Sequence, residues 1–177
     1  MFKKINNQLF FFIIPLVLGI ISSFSLPPYN FLILNFITFP FLFIFIVSNF
    51  YQSKLRLFLI GWMFGFGYFV SNIYWIINSL TFEEIFLPLI PVAFFLIPLF
   101  LGLFYGLITF VCSFLNLKKD YKSILIFALI FSLVEFIRGN ILGGFPWNLI
   151  AYSWLEYTSF IQILSIIGTY SFNLLSI

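Results

Sequence analysis

The chain has 177 residues, of which 63% are hydrophobic and 7% charged, with a net charge of +3. A soluble domain carries about 25% charged residues, so this composition cannot build a water-facing shell, and lipid is the solvent for most of the surface. There is no histidine, no cluster of acidic residues and a single cysteine, Cys112, which argues against a metal centre, a cofactor site or an intramolecular disulfide.

The apolar runs are long and unbroken, not alternating. They predict an all-α, polytopic transmembrane helix bundle of about six spans, forming one domain over 1–177. The first run covers 9–23, after Lys3 and Lys4, and ends in "FSLPPYNF", where Pro27 and Pro28 force a turn. It also has the form of a signal peptide, but the rest of the chain is equally apolar and it reads as the first span. The second run covers 31–50 and is followed by "YQSKLR"; the third covers 57–77 and is followed by "NSLTFEE". The fourth, 85–115, is too long for an apolar core of about 30 Å. Pro88 and Pro91 are therefore expected in an interfacial lead-in, with Pro98 kinking the span proper. "NLKKDYK" closes it, the fifth run covers 123–137, and a sixth starts near Thr158 and continues to the last residue. The 30 phenylalanines are expected at lipid-facing positions.

Basic residues orient the bundle. With a cytoplasmic N-terminus, Lys3, Lys4, Lys54, Arg56, Lys118, Lys119 and Lys122 all face inward, and Arg138 alone of the eight basic residues faces outward. That is a strong positive-inside bias, and basic residues at membrane flanks are not a nucleic-acid signal. Glu83, Glu84, Glu156, Trp75, Trp147, Trp154, Tyr152 and Tyr157 then fall on the outer side, the aromatic residues placed as an interfacial belt.

The candidate chemistry lies at that outer end. Glu135 and Arg138 are three residues apart on one helix face. Either they form an ion pair pinning the helix end, or Arg138 holds a lipid phosphate through its planar fork of donors. In "GGFPWN", Gly143 and Gly144 permit a positive φ, Pro146 fixes a turn, and Phe145 before it is biased to extended backbone. Trp147 is thereby aimed, not merely exposed. "GFGYFVSNIYWIINSL" carries small residues (Gly61 just before it, then Gly65 and Gly67) for close helix packing. Its polar Ser71, Asn72 and Asn78 suit interhelical hydrogen bonds, and Tyr74 and Trp75 stand at its outer end. Cys112 has only Val111, Ser113 and Phe114 around it in sequence, nothing that would activate a thiol.

Three stretches, in order, resemble the apolipoprotein N-acyltransferase family: "SLPPYNF" with a following Pro40, "GFGYFVSNIYWIINSL" with Tyr74, Trp75 and Ser79, and "SLVEFIRGNILGGFPWNLIAYS". The last is the most specific, an E-x-x-R-G followed by G-F-P-W and Y-S. It supplies Glu135, Arg138, Gly139, Gly144, Phe145, Pro146, Trp147, Tyr152 and Ser153. "IGTYSFNLL" matches further at Gly168 and Asn173. The resemblance implies an enzyme of the bacterial inner membrane with a helix bundle and a periplasmic nitrilase-type domain. Its Glu-Lys-Cys triad takes an acyl chain from a phospholipid as a thioester. It then passes the chain to the amino group of a diacylglyceryl-cysteine on an apolipoprotein, in two nucleophilic steps. On this resemblance the chain is the membrane portion, truncated before the catalytic domain and inactive alone, and no triad residue carries over. The loop around Trp147 is expected to rim a lipid portal, with Phe145, Pro146, Gly144, Tyr74, Trp75 and Tyr152, braced from below by Glu135 and Arg138. A small membrane binding component of a transporter is the alternative; it would want polar residues at the midplane, and here they cluster at the outer rim. An enzyme using intramembrane carboxylates would have only Glu135 to work with.

Overall fold

Among the described residues, eight α-helices and four 3-10 turns follow one another with no strand. The structure, a computed structural model, describes residues 2–141, 144 and 146–177, with side chains from Leu9 onward. The α-helices are α1 Phe2–Ser23, α2 Asn35–Ser48, α3 Lys54–Asn72, α4 Ile90–Cys112, α5 Tyr121–Asn140, α6 Thr158–Ile161, α7 Leu164–Ile167 and α8 Thr169–Leu175. α3 is the central helix, packed along α4 on one side and α1 on the other, while α5 lies against α4 and α8.

Small residues set the spacing of these helices, as expected where lipid on all sides removes the hydrophobic drive for association. A Cβ on Gly65 of α3 would come within 2.8 Å of the Gly102 Cα on α4. On the α1 side, a Cβ on Gly67 would collide with the Leu16 carbonyl oxygen, and one on Gly19 with that of Phe64. Backbones therefore touch at both interfaces of α3. The Trp62 indole spans the first of them, donating to the Leu99 carbonyl at 2.8 Å.

Phenylalanine does more than face lipid. Phe39, Phe43, Phe64, Phe69, Phe127 and Phe131 are buried in the core. Their rings meet across helices: Phe39 and Phe131 have centroids 5.2 Å apart edge-on, and Tyr105 and Phe131 4.7 Å. With no hydrophobic force to squeeze helices together, dispersion between large flat groups carries the packing.

The expected spans differ in regularity. Glu84–Cys112 and Tyr121–Asn140 are long and apolar enough to cross a membrane, and α3 with the turn Tyr74–Thr81, bent by 50°, makes a third if the two are one span. Leu9–Ser23, Leu32–Ser48 and Thr158–Ile167 are apolar but shorter. The lead-in of the fourth run is a 3-10 turn, Glu84–Leu89, and Pro91 sits in the first turn of α4, where its missing N–H costs nothing. The sixth run is not one helix. It divides into α6, α7 and α8, the last break at Gly168, whose φ of +78° takes it out of helical geometry.

Candidate functional site

The three stretches singled out in the sequence converge at one end of the bundle. The Pro27–Pro28 turn, the end of α3 with the turn after it, and the segment 146–155 surround a cavity of about 240 Å³. Tyr74, Trp75 and Tyr152 line it, together with Pro27, Pro28 and Asn148. Ser23, Ser71 and Asn72 add polar groups to an otherwise apolar wall. Trp147 stands beside it with its ring stacked on Trp75, centroids 4.9 Å apart and planes at 27°. Both indoles keep an open face, at 46% and 41% exposure.

Backbone geometry explains how Trp147 comes to be there. Gly144 has φ +74° and its N–H is held by the Ile141 carbonyl at 2.8 Å. A side chain at Gly144 would press on the Gly139 carbonyl oxygen, at 2.6 Å. Asn148 takes a second left-handed turn at φ +58°, a conformation asparagine tolerates better than most residues. Pro146 lies between these bends and is partly exposed. Phe145 and Gly143 lie outside the described residues.

Beneath the loop, Glu135 and Arg138 are buried, at 0% and 1% exposure. Arg138 Nη2 lies 3.3 Å from Glu135 Oε1, and its Nη1 donates to the Trp147 carbonyl at 3.1 Å. The guanidinium also sits 5.2 Å from the Phe69 ring centroid, a favourable cation–π placement in a water-poor setting. The Tyr105 hydroxyl donates to Glu135 Oε1 at 2.7 Å, and Asn173 Nδ2 donates to Oε2. A buried ion pair is tolerable only when such hydrogen bonds satisfy its remaining lone pairs.

The same network ties the loop to four helices. Asn173 on α8 accepts from the Ala151 N–H at 2.6 Å, and Tyr68 on α3 donates to the Asn148 carbonyl at 3.0 Å. Asn35 at the start of α2 donates to Ser153 Oγ at 3.0 Å. Asn72 reaches from α3 to the Ser23 carbonyl at 3.2 Å. Tyr68, Tyr105 and Asn35 were not singled out from the sequence, and the signal for them was faint: isolated hydrogen-bonding groups inside or beside apolar runs, where such groups require partners. Ser79 bonds locally to the Ile76 carbonyl. Cys112 is buried at the far end of α4. Among the described residues no three His, Cys, Asp or Glu gather as a metal site would need.

Comparison with known proteins matches residues 18–177 to the family described as "Apolipoprotein N-acyltransferase N-terminal domain". The chain is 34% identical over 170 residues to an apolipoprotein N-acyltransferase of Rhodopseudomonas palustris, and 33% identical over 167 residues to one of Brucella melitensis. These alignments cover 93% and 90% of this chain but 31% of each relative. The chain thus spans about a third of the length of the curated relatives it matches.

Proposed function

We infer the function of this chain from the family to which it belongs, the apolipoprotein N-acyltransferases, of which it forms the N-terminal domain. We propose that it is the membrane domain of an enzyme that moves an acyl chain from a phospholipid to the diacylglyceryl-cysteine of an apolipoprotein at the bacterial inner membrane. None of its residues is given the covalent step; its work is binding and orientation. The helices cross the membrane about six times with the N-terminus in the cytoplasm, in keeping with Lys54, Lys118, Lys119 and Lys122 at the end away from Trp75 and Trp147.

The observation that carries this reading is the Trp75–Trp147 stack beside the cavity on which all three family-like stretches converge. The cavity is the portal for a lipid substrate. Tyr74 and Tyr152 wall it, Gly144 and Pro146 shape the loop beside it, and Glu135 and Arg138 brace that loop from the helix below. A lipid tail entering it leaves one apolar medium for another, so its methylenes contribute little. Discrimination falls to shape and to the few polar groups near the tail's upper end, Ser71, Asn72 and Asn148.

A chimera tests this. Residues 1–177 replace the N-terminal third of the Rhodopseudomonas relative, and acyl transfer to a diacylglyceryl peptide is measured in membranes, with 1–177 alone as control. Transfer by the chimera and none by the control is expected. A chimera that inserts and folds, by protease protection and helix content, yet transfers nothing contradicts the assignment and favours the transport-component alternative.

A further inference from the structure

The end of the bundle opposite the portal carries a second surface. α3 starts at Lys54, and α4 runs out at Cys112 into a turn that leads to α5 at Tyr121. Lys54 Nζ lies 3.4 Å from the centroid of the Phe114 ring, which fastens the start of α3 to that turn. Lys54 therefore shares one face with Lys118, Lys119 and Lys122, and all four are exposed. The turn itself is held: the Lys118 N–H donates to Ser123 Oγ at 2.9 Å, and the Ser123 N–H donates to Asp120 at 2.8 Å.

The charge on this face is not balanced. Asp120 is its one acidic residue and is engaged as the N-cap of α5. Hydrogen bonds from Ser123, and then the nearness of Lys118 and Lys122, hold its carboxyl below the usual aspartate range. Glu135 is buried against Arg138. Glu156 is at the portal end, accepting from Asn30 at 2.7 Å, and Glu83 and Glu84 follow the turn that carries Trp75. Exposed Phe114 lies against Lys54, and exposed Tyr51, Leu55 and Tyr121 are near neighbours of the lysines along the chain. Ammonium groups among aromatic and aliphatic side chains, at the end of a membrane bundle, match the boundary between headgroups and acyl chains.

We propose that Lys54, Lys118, Lys119 and Lys122 form a binding surface for the headgroups of anionic phospholipids, separate from the portal and at the opposite end of the bundle. The apolar rim favours lipid over a soluble anion, because it sets the ammonium groups at the depth where lipid phosphates lie. A lysine near an anionic membrane surface is worth about a five-fold preference.

The full chain in detergent micelles, exchanged with an equal mixture of phosphatidylglycerol and phosphatidylcholine, provides the test, with retained lipid counted by mass spectrometry. The wild type is expected to retain phosphatidylglycerol preferentially, and the preference should weaken as salt is raised. The combined Lys54→Gln, Lys118→Gln, Lys119→Gln and Lys122→Gln variant should lose it with helix content unchanged. Arginine at the same four positions should keep it. Equal retention of both lipids by the wild type, or undiminished preference in the glutamine variant, overturns the proposal. Displacement of the bound lipid by inorganic phosphate at equal ionic strength also overturns it, by reassigning the lysines to a free anion.

Discussion

Arg138→Met is expected to destabilise the protein by about 3–5 kcal/mol, the range for breaking a buried ion pair from one side. The methionine fills much of the space, so lost packing is not the main effect. What remains is the Glu135 carboxylate, fully buried, with its Tyr105 and Asn173 hydrogen bonds but without the charge opposite it. The change also removes a donor to the Trp147 carbonyl, so the loop loosens as the helix end weakens. Adding Glu135→Gln removes the stranded charge, and the double variant is expected to be more stable than Arg138→Met alone. Thermal unfolding in detergent of the two single variants and the double completes the cycle. An Arg138→Met protein within about 1 kcal/mol of wild type would mean that the pair is not closed off from water.

Trp147→Ala acts on binding instead. It removes the ring that backs Trp75, a wall residue of the cavity, while Arg138 still holds the main chain at that position. In the acyl-transferring chimera, KM for phospholipid is expected to rise roughly tenfold, a loss of about 1.4 kcal/mol, with kcat changed far less. That split marks a group that binds the substrate equally in ground and transition states. Trp147→Phe keeps a stacking ring and should recover most of the loss. A tenfold fall in kcat with KM unchanged would move Trp147 from the portal to the chemistry, and no change in either would remove it from the site.

Much of this was legible in the residues. Hydropathy located the first five runs, which carry α1 to α5, prolines marked the turn at 27–28 and the lead-in before α4, and the glycines of α3 announced close packing. The loop around Trp147 stood out because Gly, Pro and Trp rarely share a short segment of so apolar a chain. What could not be read is pairing across the fold. Tyr105 meets Glu135 from 30 positions away and Asn35 meets Ser153 from 118 away, and nothing local in either residue names its partner. Composition likewise cannot separate a phenylalanine facing lipid from one in the core, since both media are apolar. The division of 158–177 into short helices was hidden for a related reason: hydropathy sees an unbroken run, whereas its last break rests on the backbone of Gly168.

The central claim, that the cavity beside Trp75 and Trp147 admits a phospholipid, is tested most directly by photolabelling the chain in bilayers with a phospholipid bearing a diazirine near the top of one acyl chain. Labelled peptides are expected to concentrate in 71–75 and 147–155, and excess unlabelled phospholipid should compete the label away. Labelling spread evenly over the exposed faces of α4 and α5, with no excess at those two segments, would contradict the portal.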